Sequence, residues 1–250
     1  MLKAQYLEDN KKYVSWNNED YKFILDNRNQ FICPHCKGKV IFVDGTEVIK
    51  HFRHFVLSDC DFEPETQNHL EMKMFMKNFF NLTDEDVEVD LGFAKPDLLK
   101  RDQKIAIEVQ NSNITKKKFL ERCYNYTQNG YAVLWVFHED LLKEYKETSN
   151  IPILLRTAHE HYFERVYIYS KGKIIPIHFN PIKRYVEEYT DYETGETFGG
   201  YIILYKKKKL ISVGEDIPEP MYGKELYKCH SKFSHNTPSG YYIAKFYDVL

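Results

Sequence analysis

The spacing of apolar residues predicts a helix and then two strands at the start of the middle third of the chain. Residues 64–80 have helical character, because their leucine, methionine and phenylalanine side chains cluster on one side. Residues 87–91 alternate apolar and acidic side chains, which is typical of a half-buried strand. Pro96 disfavours a helical conformation of the residue before it, so we expect a short extended segment at residues 97–100.

Two more strands follow. In residues 104–110 (KIAIEVQ), alternation places the β-branched side chains on one face and Glu108 and Gln110 on the other. Residues 131–137 (YAVLWVF) form a continuous apolar run, which is typical of a strand that is covered on both faces.

A second helix is predicted between these two strands, at residues 115–129. Thr115 is suited to cap its first turn, and Gly130 is suited to end it. The predicted order is therefore αβββαβ.

The character of the sequence divides the chain into three expected domains of a mixed α/β (α+β) protein. Residues 1–62 hold three of the five cysteines and are predicted to form a small β module, which is zinc-finger-like. Residues 63–147 contain the αβββαβ core. Residues 148–250 are rich in Tyr, Phe and Ile and carry turn signals at Lys171-Gly172 and Thr194-Gly195, so we expect them to be β-rich.

Composition indicates in which cellular compartment we expect the protein. No apolar run reaches about 18 residues, the length of a membrane span, and charged residues interrupt the N-terminal segment where a secretory signal would be apolar. We therefore expect a cytoplasmic protein without a membrane partner, in which the cysteines bind metal or are buried and do not form disulfides.

Charge argues against a protein that is basic throughout, because the net charge of the 250 residues is -2. Basic runs at residues 100–104, 116–118 and 206–209 are nevertheless suited to phosphate contacts. Runs of this kind are also common on ordinary solvated surfaces, so this alternative stays open.

The candidate catalytic centre consists of Asp97, Glu108 and Gln110. Two neighbouring strands can hold Asp97 and Glu108 on one face, where hard carboxylate oxygens would share Mg²⁺ or Mn²⁺. Gln110 follows on that face and would position water or the metal. A turn residue and an edge-strand residue could show the same spacing, but the strand of Glu108 is expected to be central, in the order of elements given above.

A polar stripe on the first helix adds to this site. Glu65, His69 and Lys73 follow one another at intervals of four residues and so lie on one side of a helix. If the helix packs beside the strands, Glu65 would contact the metal or water, His69 a phosphate or proton, and Lys73 a phosphate. Otherwise the stripe faces solvent.

A second candidate metal site lies near the N-terminus, in the spacing Cys33-x2-Cys36-x14-His51-x2-His54. Two thiolates and two imidazoles favour structural Zn²⁺ over Mg²⁺. Gly38 is suited to the tight turn that such a site needs. Cys60 and His35 are spare ligand candidates, and a hairpin with a buried cysteine and surface histidines is the alternative without metal.

As an ordered set, these motifs resemble the competence protein CoiA-like family of PD-(D/E)XK nucleases over residues 2 to 140. The features that carry the resemblance are Cys33-Pro34-His35-Cys36, His51-Phe52-Arg53-His54, Glu65, Thr66, His69, Lys73, Asp97, Ile107-Glu108-Val109-Gln110, Ser112, Arg122, Tyr126 and Leu134-Trp135-Val136.

The resemblance implies that residues 63–147 form a metal-dependent deoxyribonuclease domain with a restriction-endonuclease-like αβββαβ core, behind a zinc-finger-like module. It also implies a role in DNA uptake or recombination, with recombination proteins as partners. The chain departs from the family pattern around its motif aspartate, where it reads Lys95-Pro96-Asp97-Leu98. Gln110 also stands where many relatives in the superfamily carry lysine, and an amide cannot supply positive charge. Lys73 and Arg122 are the candidates to supply it instead.

Two other functions remain open. The protein could keep the nuclease fold as a non-catalytic DNA- or protein-binding factor, or it could use the zinc module to bind recombination proteins. The tyrosines and lysines of the C-terminal segment, from Tyr162 to Tyr205, fit a stacking platform for single-stranded nucleic acid. They fit ordinary β-sheet composition as well.

Overall fold

The structure confirms a mixed α/β protein. This computed structural model describes residues 1–56, 60, 65–142, 148–161 and 164–217, together with two short strands at 227–229 and 241–243. The chain divides into two compact units, of which the first comprises Met1–Asn111 and Tyr124–Leu134, and the second Ser112–Cys123 and Trp135–Leu250. The predicted domain boundaries remain predictions.

The first unit begins with a five-stranded antiparallel sheet in the order β2-β1-β3-β4-β5. Its elements are β1 (Lys3–Tyr6), β2 (Lys12–Val14), α1 (Asn18–Asp26), β3 (Phe31–Ile32), β4 (Lys39–Val43) and β5 (His51–His54). Apolar alternation explains these strands, because Ala4, Phe31, Val40 and Phe52 are fully buried. They form one small apolar core under α1, whose Ile24 is buried with them.

The first unit continues with α2 (Gln67–Phe79), β6 (Leu98–Lys100) and β7 (Ile105–Gln110). Residues 87–91 do not form the predicted strand, since Val87 makes only an isolated bridge to Leu98. Glu88 has a left-handed φ of 48°, which turns the chain away from an extended path. The observed order is therefore αββαβ with one added bridge.

The remaining elements of the core are α3 (Lys116–Gln128) and β8 (Ala132–His138), each of which contributes residues to both units. The predicted caps are present: the Thr115 hydroxyl accepts a hydrogen bond from the Lys118 amide at 3.2 Å, and Gly130 has a φ of 76°. Strand β7 pairs with β6 and β8, and all six of its residues are buried. The strand of Glu108 is thus central, as expected.

The second unit is β-rich, as predicted, and contains one helix that the sequence pattern did not indicate. Its elements are β9 (Thr148–Asn150), α4 (Ile153–His161), β10 (Val166–Ser170), β11 (Lys173–Val186), β12 (Tyr189–Thr190), β13 (Thr197–Phe198), β14 (Tyr201–Val213), β15 (Tyr227–Cys229) and β16 (Tyr241–Ile243). Strand β10 lies parallel to β8 and antiparallel to β11, and β14 joins β11 to β9.

Both predicted turns of the second unit are observed. Lys171 and Gly172 have left-handed φ values between β10 and β11, and Gly195 has one in the turn between β12 and β13. Pro64 and Tyr162, which entered the predictions for α2 and for the aromatic platform, lie outside the described residues. Within the described part of the chain, the helices are too short or too polar to cross a membrane.

Candidate functional site

Helix α2 carries the polar stripe, and it does not turn that stripe to solvent. Thr66 caps the helix by accepting a hydrogen bond from the His69 amide, so Glu65 stands just before the first turn. The side chain of Lys73 is only 1% exposed and that of Glu65 5%, whereas His69 keeps 25%. Of the two predicted arrangements, the structure therefore has the one in which the stripe faces the strands, and not the one in which it faces solvent.

The ammonium group of Lys73 is surrounded by three carboxylates. It forms ion pairs with Glu65, with Glu88 Oε1 at 3.0 Å and with Asp97 Oδ1 at 3.0 Å. Burial of a lone ammonium is costly, and three charged acceptors offset that cost. Burial alone would lower the pKa of Lys73, but Asp97, Glu65 and Glu88 together raise it well above the usual 10.5.

Glu65 is held in its ionised form by cations on both of its oxygens. Its Oε1 pairs with Lys73, and its Oε2 lies 2.7 Å from the amino group of Met1. Burial would raise the pKa of Glu65, but Lys73 and the Met1 amino group outweigh it and lower that pKa to about 2. The carboxylate is thus ionised at neutral pH.

Glu88 belongs to the site, although the sequence pattern did not single it out. Its carboxylate pairs with Lys73 and also accepts hydrogen bonds from the backbone amides of Leu2, at 2.9 and 3.0 Å, and of Lys3, at 3.2 Å. The acidic run that contains Glu88 indicated only a charged segment. Its role depends on a left-handed turn and on contacts with β1, which no local pattern encodes.

Asp97 joins the helix to the strands. Its Oδ2 accepts a hydrogen bond from the Val109 amide at 2.9 Å, and its Oδ1 lies 3.4 Å from His69 Nε2. Strands β6 and β7 pair Leu98 with Ile107. The same antiparallel register, continued by one residue, sets Asp97 opposite Glu108, and opposite residues share a face.

Glu108 is fully buried in the middle of β7. The hydroxyl of Tyr126, on α3, donates a hydrogen bond to Glu108 Oε1, and Tyr126 is itself buried. Gln110 lies on the same strand and is 7% exposed. The structure therefore encloses the acidic motif, with Tyr126 positioning its second carboxylate.

Three groups in this site are close enough to hold one metal ion. Ligand atoms of Glu65, His69 and Asp97 lie within 4.8 Å of one another, and Glu108 is not part of that trio. The predicted sharing of one ion by Asp97 and Glu108 remains a prediction. Carboxylate oxygens suit divalent ions such as Mg²⁺ or Mn²⁺, whereas an imidazole suits Zn²⁺ and other transition-metal ions. The carboxylates here outnumber the buried ammonium groups.

A second group of possible ligands lies at the edge of the five-stranded sheet. Ligand atoms of Cys33, Cys36, His54 and Cys60 lie within 4.8 Å of one another. Burial would raise the pKa of Cys36, but hydrogen bonds from the Gly38 amide and from its three neighbours in the group lower that pKa to about 6. The thiolate is the form that binds metal.

His51 is not in this group, although the spacing of the sequence put it there. Its Nδ1 lies 2.8 Å from the carbonyl oxygen of Ile49. His51 and His54 are three residues apart on β5, and residues at that spacing point to opposite faces of a strand. Cys60, one of the spare candidates, supplies the fourth ligand atom.

The turn that follows Cys36 also differs from the prediction. Lys37 adopts the left-handed conformation, with a φ of 59°, and Gly38 does not. The Gly38 amide instead donates to Cys36 Sγ at 3.4 Å, while the His35 amide donates to Cys33 Sγ at 3.4 Å. Backbone amides thus orient both sulfur atoms toward the group.

Comparison with protein families now adds a finding to this geometry. Residues 65–173 match the family model described as competence protein CoiA, nuclease-like domain, and residues 13–63 match that described as competence protein CoiA, N-terminal domain. The chain belongs to the competence protein CoiA family. Neither curated proteins nor solved structures gave a match.

The two matched regions correspond to the two groups of candidate ligands. The CoiA nuclease-like match begins at Glu65 and includes Lys73, Asp97 and Glu108. The CoiA N-terminal match includes Cys33 and the other three members of the cysteine–histidine group. Each possible metal site thus lies within one family region.

Lys73→Met should destabilise the metal-free protein by about 3–5 kcal/mol at neutral pH, because it leaves buried carboxylates without their central cation. Chemical denaturation measures the change. The matched control is Lys77→Met on the same helix, since Lys77 pairs with Asp84, whose side chain is 34% exposed, and lies 5.7 Å from the centre of the Trp16 ring. The control should lose about 1 kcal/mol or less. Equal losses in the two variants would contradict the role assigned to Lys73.

The low pKa of Glu65 predicts a specific sensitivity to acid. Because the pKa is about 2 in the folded protein and 4.5 ordinarily, the stability it contributes is full above 4.5 and is lost as pH falls toward 2. The free energy of unfolding of Glu65→Gln should therefore fall less steeply than that of the wild type in this window. Parallel pH profiles of the two proteins would show that Lys73 does not lower the pKa of Glu65 in the folded state.

Proposed function

We propose that this chain is a divalent-metal-dependent nuclease that hydrolyses phosphodiester bonds in DNA. The observation that carries the proposal is the meeting of Glu65, His69 and Asp97 around the buried Lys73, within the region that matches a nuclease-like domain. The restriction-endonuclease-like core is part of this proposal.

The proposed cofactor is Mg²⁺ or Mn²⁺, with Asp97 and Glu108 as ligands and Glu65 as a further contact. When bound, such an ion lowers the pKa of water and offsets negative charge on the phosphate in the transition state. Tyr126 holds the Glu108 carboxylate and the Val109 amide holds that of Asp97. These hydrogen bonds fix the ligands before any ion arrives.

We assign to Lys73 the positive charge that Gln110 cannot supply. Its ammonium contacts Asp97 at 3.0 Å, and its raised pKa keeps it protonated at neutral pH. His69, the most exposed member of the stripe, would contact the phosphate or carry a proton. Gln110 would orient the attacking water through its amide.

DNA as the substrate is supported by local charge. Lys116, Lys117 and Lys118 are exposed at the start of α3, where Lys117 lies 3.7 Å from Glu121. Clustered lysines bind phosphates without regard to sequence. From the family name we further propose action in the cytoplasm, in DNA uptake or recombination with recombination proteins as partners.

A second candidate is a non-catalytic DNA-binding factor with the same fold. One observation favours it: Lys73 already occupies the centre of the carboxylate group, so the site is held together without a metal ion. Metal binding without cleavage would support this second function.

Asp97→Asn and Glu108→Gln should each reduce metal-dependent cutting by about 100-fold or more, the scale on which one charge-stabilising group acts. Cutting is measured on single-stranded, duplex and branched DNA with Mg²⁺ or Mn²⁺, and ion binding by calorimetry. The matched control is Asp102→Asn, whose side chain is 66% exposed and pairs with Lys100 at 3.3 Å. Equal cutting by the wild type and both variants would refute the enzyme proposal.

We propose that the cysteine–histidine group holds structural Zn²⁺. Three thiolates and one imidazole form a common tetrahedral set for zinc. Such an ion would stabilise a module whose apolar core is small.

Metal analysis of the purified protein tests this assignment together with its fourth ligand. Cys60→Ser should lower the zinc content, because it removes one of four ligands, whereas His51→Ala should retain zinc. Loss of zinc in the His51 variant and retention in the Cys60 variant would reverse the assignment.

A further inference from the structure

In the second unit, strands β11 and β14 continue as a two-stranded arm, defined here as residues 183–205. Within it, Lys183 pairs with Leu204 and Val186 with Tyr201. Strand β10 pairs with β11 only up to Ile177, and β9 pairs with β14 only from Lys208 onward. Among the described residues, therefore, no third strand flanks the arm.

The shape of the arm is set by its own hydrogen bonds. At its tip the Asp191 amide donates to the Glu196 carbonyl at 2.8 Å, and the Gly195 amide donates to the Asp191 carbonyl at 2.8 Å. Gly199 has a φ of 88°, and a Cβ there would lie 1.9 Å from the carbonyl oxygen of Glu187. The arm is thus a defined structural element, and only glycine fits at position 199, where the backbone passes close to Glu187.

Both faces of the arm expose large apolar side chains. Tyr201, Ile202, Ile203 and Leu204 are consecutive, so they alternate between the two faces, and each is at least 41% exposed. Tyr185, opposite Ile202, is 59% exposed. An isolated two-stranded ribbon is marginally stable in water, and monomers seldom expose apolar patches of this kind.

Charge on the arm is divided between its two ends. Between residues 187 and 205 all five charged residues are acidic: Glu187, Glu188, Asp191, Glu193 and Glu196. The stem carries Lys183 and Arg184, both exposed, and is followed in sequence by the lysines of 206–209. A tip of one sign and a stem of the other are complementary to each other.

We propose that the arm is the interface for a second copy of this chain. Two arms laid antiparallel about a two-fold axis place each acidic tip against the partner's basic stem, and the same patch serves both copies. The exposed apolar side chains on one face of each arm are then covered between the two ribbons. A nucleic acid fits this surface less well, since the acidic tip repels phosphates.

Charge reversal tests the pairing on the full chain by sedimentation or light scattering. The wild type should form a dimer. A stem variant, Lys183→Glu with Arg184→Glu, and a tip variant, Glu193→Lys with Glu196→Lys, should each dimerise at least about tenfold more weakly, because like charges then face each other. The control is Lys116→Glu with Lys117→Glu on α3, an equal charge change that should leave the dimer intact.

Mixing the two variants provides the deciding result. Each acidic stem then meets a basic tip, and each acidic tip a basic stem, so heterodimers should form at close to wild-type affinity. This rescue also shows that both variants are folded. A monomeric wild type, variants that still dimerise, or no rescue on mixing would overturn the proposal. Loss of DNA binding by the stem variant with no change in oligomeric state would overturn it in favour of nucleic acid.

Discussion

The Lys73 ammonium is the contact on which the first unit depends, because it ties together segments that are far apart in the sequence. Glu65 stands before α2, Glu88 lies in the turn after it, and Asp97 precedes β6. Glu88 in turn accepts hydrogen bonds from the amides of Leu2 and Lys3, at the start of β1. The N-terminal sheet and the candidate catalytic strands thus meet at one buried charge.

A buried charge cluster is costly to form, and this cost limits how the site can work. The free-energy cost of removing water from four ionised side chains is offset only where every charge has close partners of opposite sign. Lys73 therefore stabilises the fold and also keeps Glu65 ionised at neutral pH. A divalent ion bound to the same carboxylates would have to coexist with that ammonium or shift it, so metal affinity and stability are linked at this residue.

Local patterns were sufficient for much of this arrangement. The alternation in residues 104–110 predicted the strand that carries Glu108, and Thr115 and Gly130 marked the ends of α3, because these features depend on neighbours in sequence. The i, i+4 stripe likewise put Lys73 beside His69. Resemblance to a family added the setting in which these residues form one site.

The predictions that differ from the structure do so for identifiable physical reasons. Glu88 adopts a left-handed conformation that a glutamate seldom takes. Its carboxylate accepts hydrogen bonds from the amides of Leu2 and Lys3, so no pattern within residues 87–91 reveals its role. His51 was excluded by strand alternation itself, since it lies three residues from His54, but that test requires knowing that β5 is a strand. Cys60 lies beyond β5 and reaches the ligand group only through the tertiary fold.

The position of Lys73 also bears on why the motif strand can end in glutamine. Gln110 is nearly enclosed, at 7% exposed, and a neutral amide there can be satisfied by hydrogen bonds alone. Positive charge next to Asp97 comes from α2 instead, because the lysine side chain is long enough to reach from the helix to the start of β6. Asp97 therefore has a cationic partner although the strand of Glu108 ends in an uncharged residue.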